Sequence, residues 1–207
     1  GYDLVLTNPP FGTKKGGERA AVMTLPLHQQ QAAQFLAAYL PQFEARRTGA
    51  VVLPDNVLFA DGDGERIRAE LMDKCDLHTV LRLPTGIFYA QGVKTNVLFF
   101  QRGLNDKGNT RQVWFYDLRT NMPSFGKTNP LRQEHFTAFE TAYDAPDRKS
   151  IADERWSVLS REDIAAKGNS LDLGLIRDAS VLDHATCPTP SKVPKNASPS
   201  LKKLLIC

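Results

Sequence analysis

The spacing of apolar residues divides the chain into short continuous hydrophobic runs and longer one-sided stripes. Leu4-Val5-Leu6 lies in a run from Tyr2 to Thr7 that stops at Asn8-Pro9-Pro10. Near-continuous hydrophobicity over so few residues predicts a parallel strand buried on both faces, and two prolines can neither donate to a ladder nor extend it. From His28 to Arg47 the residues Phe35, Leu36, Tyr39, Leu40 and Phe43 recur at helical spacing, predicting a helix on a sheet face. Pro41 kinks it, Arg46 and Arg47 favour its carboxyl end, and Gly49 closes it. Gly49 to Pro54 predicts a second parallel strand, leaving Asp55-Asn56-Val57-Leu58-Phe59 on the same side as Asn8. A helix starting at Asp63-Gly64-Glu65 buries Ile67, Leu71, Met72 and Cys75.

Strands follow at Leu77–Leu83 and Thr95–Gln101. The stretch between them, Pro84 to Lys94, is too short and too rich in turn residues for a crossover helix, so the later strand runs antiparallel to its neighbours. Gln112–Leu118 is a further strand, expected to form a hairpin with the one before. Thr128 or Asn129 caps a helix with Pro130 in its first turn and Phe136, Phe139 and Tyr143 on one face. Residues 144–154 form a charged connector. Ser160-Arg161-Glu162-Asp163 has the form of a capping box, opening a short helix that Gly168 ends. Beyond Ile176 the pattern fails, and Pro188, Pro190, Pro194 and Pro199 among Ser, Thr and Lys predict disorder.

The junction at Asn8 carries the candidate chemistry. In open α/β sheets ligands bind at the carboxyl ends of strands. There the Asn8 side-chain oxygen and the Pro9 carbonyl are two acceptors, Pro10 fixes the backbone, and the Phe11 ring offers a stacking face. Such a group suits a planar base with an exocyclic amine. Two accepted N–H bonds favour a tetrahedral nitrogen whose lone pair is free to attack a methyl group. A base in a duplex would have to be flipped out to reach it. The competing reading is an ordinary strand-to-loop turn. Lys14 and Lys15, in the glycine-rich loop after Gly12, are either phosphate contacts or solvated lysines. Phe88 and Tyr89 are either the second face of a base sandwich or buried packing. His78 reads as a structural histidine.

Composition changes the picture little. The net charge of +3 comes from Lys192, Lys195, Lys202 and Lys203, because residues 1–187 carry 22 bases against 23 acids. A near-neutral body binds DNA only through a local patch or with a partner making most of the phosphate contacts. Cys75, Cys187 and Cys207 lack metal-ligand or disulfide spacing, so a metal site is not expected and a reduced cytoplasmic setting is. No apolar stretch reaches the length of a membrane span.

The opening strand with Asn8-Pro9-Pro10-Phe11 resembles the catalytic motif of amino-methylating DNA methyltransferases, in the form of the N6-adenine enzymes. A closer resemblance lies downstream, in Val52 to Phe59, Leu71 to Cys75, Leu81 to Ala90, Gly92 to Phe100 and Asp117 to Pro123. These blocks resemble the modification (M) subunit of type I restriction-modification systems over roughly residues 1–178. The resemblance implies the carboxyl-terminal half of a class I, Rossmann-like α/β methyltransferase sheet, mixed through an antiparallel last strand, with a small helical extension. It also implies S-adenosylmethionine as methyl donor and adenine in DNA as acceptor. The implied partners are a specificity (S) subunit, a restriction (R) subunit and a second M subunit.

In that family the glycine-rich cofactor loop precedes the tetrapeptide, and no Gly-x-Gly turn after a strand occurs here; Leu171-Asp172-Leu173-Gly174 lacks the second glycine. Cofactor-binding residues are therefore expected outside this chain, which reads as a truncated or frame-shifted product, inactive and poorly soluble or oligomeric alone. The expected division is a catalytic part over 1–118, an extension with short helices over 119–178 and a disordered tail over 179–207. A remnant that only binds a partner, and a methyltransferase for protein glutamine or RNA, are the alternatives.

Overall fold

The computed structural model describes residues 4–9, 44–88, 94–123 and 125–173. Among these residues six strands form one sheet in the order β1-β2-β4-β3-β5-β6, within a compact unit ending at Asp172. β1 (Leu4–Thr7) pairs parallel with β2 (Thr48–Pro54), Thr7 opposite Val51. The helix α1 (Asp63–Lys74) leads to β3 (Cys75–Leu83). β4 (Thr95–Arg102) lies between β2 and β3, antiparallel to both, as the short 84–94 connection requires. β1, β2, β3 and β5 thus point the same way, and Asn8, Asp55 and Pro84 share the carboxyl end.

The expected hairpin between the fourth and fifth strands does not form. Both edges of β4 are taken, so β5 (Gln112–Asp117) pairs parallel with the free edge of β3, Thr79 opposite Trp114. β4 has already returned the chain to the amino end of β3, so residues 103–111 suffice as a connection. Thr110 fastens them: its hydroxyl donates to the Cys75 carbonyl at 2.7 Å and accepts from Leu77 N–H at 2.8 Å.

The predicted helix over His28–Arg47 lies outside the described residues up to position 43. At its far end the chain turns at Ala45-Arg46, with Arg46 at φ 67°, and Gly49 belongs to β2 instead of closing a helix. Asn129-Pro130 does not open the later helix either. A 3-10 turn over Gln133–Phe136 leads into α2 (Thr137–Tyr143), because His135 Nδ1 accepts from Arg132 N–H at 2.9 Å and supplies the cap. Phe136, Phe139 and Tyr143 still pack on the same sheet face, against Leu81, Leu83, Trp114, Tyr116 and Leu118. The connector 144–154 contains a 3-10 turn at Arg148–Ser150. After it, β6 (Trp156–Ser160) pairs antiparallel with β5, a five-residue element not expected as a strand from the sequence. The capping box at Ser160 forms as expected, opening α3 (Arg161–Ala166), and Gly168 follows at φ 64°.

Cys75 is fully buried at the start of β3, and burial pushes its thiol up to about 12, which makes it core and not a nucleophile. His78 is the extra residue of a β-bulge, since Leu77 faces Phe100 and Thr79 faces Phe99. The bulge turns its ring toward Tyr143, 5.9 Å between centroids, with Nδ1 2.9 Å from Thr79 Oγ1.

Burial, and then the Arg148 charge, lower the His78 pKa to about 4. Between that value and the unfolded value near 6.5 the unfolded chain binds the extra proton, so stability rises with pH across this window. The contribution is intact above pH 6.5 and falls by about 3 kcal/mol as pH drops to 4. Urea denaturation at pH 7.5 and 4.5 is expected to show this loss, and His78→Gln is expected to remove most of it. An unchanged pH slope in His78→Gln would place the acid sensitivity elsewhere.

Candidate functional site

The site is assembled by strand direction. β1 delivers Asn8 to the carboxyl end of the sheet, where it is exposed, while Pro9 behind it is buried. No peptide bond among the described residues is cis. Pro10, Phe11, Lys14, Lys15 and Tyr89 lie outside the described residues. Phe88 is half-buried and packs on the aromatic and aliphatic cluster of β3 and β5. Its turn, Thr85–Phe88, depends on Gly86: at φ 88°, a Cβ there would collide with the Phe125 carbonyl.

Sequence reasoning missed the polar brace beneath this end of the sheet. Asp55, directly after β2, receives a two-pronged ion pair from Arg119, with Nη1 to Oδ2 at 3.0 Å and Nη2 to Oδ1 at 2.7 Å. Asn96, fully buried in β4, donates Nδ2 to the same carboxylate at 2.7 Å. Arg119 also donates Nε to Leu83 O at 2.9 Å and Nη2 to Thr95 O at 3.0 Å. One guanidinium thus fastens the ends of β2, β3 and β4, the fork geometry that lysine cannot supply. Asp117 adds a second tie, accepting from Arg82 Nη1 at 3.2 Å and from Arg119 N–H at 3.0 Å. Burial alone would raise the Asp55 carboxyl, but hydrogen bonds from Arg119 and Asn96 and the charges of Arg119 and Arg82 outweigh it and hold the group ionised below its usual value. All members lay inside motif blocks, yet only the fold reveals that blocks separated by dozens of residues meet.

Asn56 Nδ2 and Thr95 Oγ1, beside this brace, are buried without a hydrogen-bond partner among the described residues. No cluster of three or more metal-ligating side chains occurs among the described residues.

A mixed sheet with one antiparallel strand inserted between parallel ones, carrying an exposed asparagine before a proline at a parallel strand's carboxyl end, defines a Rossmann-like methyltransferase class. The model of the N-6 DNA methylase family matches residues 1–183, and the chain belongs to that family. It is similar to the StySPI type I restriction enzyme methylase subunit of Salmonella potsdam, 41% identical over 98% of this chain and 45% of the relative. It has the same identity and coverages to the EcoKI methylase subunit of Escherichia coli strain K12. The crystal structure of the EcoKI M protein superposes with a TM-score of 0.68 at 42% identity, over 81% of this chain and 42% of that one. A modification subunit of a putative type I restriction enzyme from Vibrio vulnificus gives 0.62 at 29%, over 78% and 34%. The chain therefore spans about half the length of the curated relatives it matches.

Proposed function

We propose that this chain supplies the base-gripping half of a DNA adenine-N6 methyltransferase of the type I modification-subunit kind. The observation that carries the reading is the exposure of Asn8, on a buried Pro9, at the carboxyl end of a strand parallel to β2. Asn8 Oδ1 and the Pro9 carbonyl accept the two N–H groups of an extruded adenine amine, and Phe11 stacks on the ring. Phe88 or Tyr89 on the other face, and Lys14 and Lys15 on the flanking phosphates, complete the substrate contacts. The amine nitrogen, held nearly tetrahedral, directs its lone pair out of the ring plane, and its proton leaves to solvent after transfer.

S-adenosylmethionine would supply the electrophilic methyl carbon. The described residues do not form its cradle: no glycine-rich turn directly follows a parallel strand among them, since Gly62-Asp63-Gly64 comes only after the 3-10 turn at Asp55–Leu58. Instead β1 pairs on one side only among the described residues, and Leu4 and Leu6 are 54% and 71% exposed. The edge of β1 is where a cofactor-binding part would add its strands. In this reading residues 1–118 are the catalytic part, with five of the six described strands, and 119–178 the extension, which adds β6 to the sheet. The partners in this reading are DNA, an S subunit, an R subunit and a second M subunit. A cytoplasmic setting belongs to the same reading, from the type I methylase subunits the chain is similar to; separately, no helix among the described residues is long and apolar enough to cross a membrane.

The test is reconstitution. The chain is expressed with a polypeptide covering the remaining part of a relative's catalytic domain and with a specificity subunit, and transfer of labelled methyl groups is followed. No transfer by the chain alone and N6-methyladenine in DNA from the mixture are expected. An assembled but inert mixture would leave only a partner-binding role, and label in RNA or protein glutamine would reassign the acceptor.

A further inference from the structure

At the opposite end of the sheet from Asn8, beside the amino termini of β3 and β5, lies a cleft of about 550 Å³. Asp76, His78, Asn109, Arg111, Gln112, Trp114 and Arg148 line it. The methyltransferase reading uses none of them. Volumes of about 300–1,000 Å³ are those of ligand pockets, and far exceed what one carboxylate or phosphate fills.

One of its cations, Arg148, is fixed in advance. Arg148 donates Nε and Nη2 to the Tyr143 carbonyl at 3.1 and 2.8 Å, and Nη1 to Thr79 Oγ1 at 3.2 Å. Its guanidinium lies 4.8 Å from the Tyr143 ring centre and 6.0 Å from that of Trp156. Arg111 follows Thr110, which is clamped to β3, and the Arg111 carbonyl accepts from Arg161 N–H at 2.8 Å. Its own guanidinium is exposed.

We infer that this cleft binds an acidic segment of a partner polypeptide, with a ligand carboxylate seated between Arg148 and Arg111. Charge selects the ligand. Arg111 and Arg148 bring two positive charges and Asp76 one negative, so a single carboxylate neutralises the site, whereas a phosphate dianion leaves excess negative charge facing Asp76. Gln112 adds a carboxamide, which matches the donor and acceptor of a peptide bond, while the Asn109 amide nitrogen is already held by the Asp73 and Asn105 carbonyls. Trp114 lines the cleft and offers an apolar surface for the ligand's methylenes. Because the cleft is remote from the carboxyl end of the sheet, its occupant does not compete with a base at Asn8, and the inference does not rest on methyl transfer.

The chain has two tryptophans, and both report on this cleft: Trp114 lines it, and Trp156 stacks on Trp114 with ring centres 5.0 Å apart. Their emission is followed in the full chain during titration with a capped octapeptide carrying a single glutamate. Parallel titrations use its glutamine counterpart, inorganic phosphate and a short single-stranded oligonucleotide. Saturable binding of the acidic peptide, at least tenfold tighter than that of the glutamine peptide, is expected. Arg111→Gln, an exposed position, should weaken it about tenfold without altering the melting temperature. Asp76→Asn should tighten it severalfold by removing the like charge, a gain that a merely structural role for these residues would not produce. Equal response to both peptides, or indifference to both substitutions, overturns the inference. Tighter binding of phosphate or oligonucleotide overturns it too, in favour of a phosphate site.

Discussion

Asn8→Ala in the reconstituted complex is expected to lower the rate of methyl transfer by about 10²–10³-fold, the cost typical of deleting one pre-organised polar group aimed at a reacting atom. The loss should fall on kcat, with KM for DNA nearly unchanged, because most DNA affinity comes from phosphate contacts made elsewhere. Asn8 is exposed at the end of β1, so the melting temperature should not move, which separates a chemical role from a structural one. Rapid-quench measurement of a single turnover reads the step directly. Undiminished transfer in the variant would end the proposal that this amide orients the amine.

How much of this was legible in the sequence follows from the range of each signal. β1, β2, β3 and β4 announce themselves as continuous apolar runs, and the direction of β4 follows from the length of 84–94 alone; β1 was expected to be buried on both faces, but Leu4 and Leu6 are exposed. The partner of β5 was not legible. Sequence shows adjacency along the chain, while pairing is decided by which edges are already occupied, and β2 had taken the edge of β4 that a hairpin would need. The start of α2 was misplaced for a related reason. Asn129-Pro130 has the local chemistry of a helix start, but the His135 ring supplies a competing cap three residues beyond Arg132. At the site, Asn8 and Pro9 stand where the strand rule puts them. The Arg119 brace was invisible because its members, Asp55, Leu83, Thr95 and Asn96, come from three strand ends. Phe88, offered equally as base contact or packing, has a packing partner in the cluster of β3 and β5.

Arg68→Met is expected to have the largest effect on stability. Arg68 sits on the apolar stripe of α1 with Ile67, Leu71 and Met72, and is 2% exposed. It has no carboxylate partner within hydrogen-bond reach among the described residues; its guanidinium serves four carbonyls instead. Nε donates to Asn169 O at 2.7 Å, Nη1 to Ala60 O at 2.8 Å and Val57 O at 3.0 Å, and Nη2 to Gly168 O at 3.4 Å. Burial lowers its pKa to about 10, which still leaves it charged at neutral pH. Methionine keeps much of the volume and abolishes every donor, stranding carbonyls at about 1–3 kcal/mol each. Relief of the buried charge offsets part of that, as in other buried ionic groups. A net loss of about 3 kcal/mol is expected, seen in calorimetry as a melting point lower by about 10 °C for a chain of this size. The damage should be directional. Val57 and Ala60 belong to the segment that begins at Asp55, so hydrogen exchange should accelerate over 55–60 and 168–170 before it does in β3 or β5. Through Asp55 the loosened segment reaches the Arg119 brace, so the same substitution should soften the carboxyl end of the sheet that presents Asn8. A loss under about 1 kcal/mol, or exchange unchanged at 55–60, would mean that water satisfies these carbonyls and that α1 does not hold this end of the sheet in place.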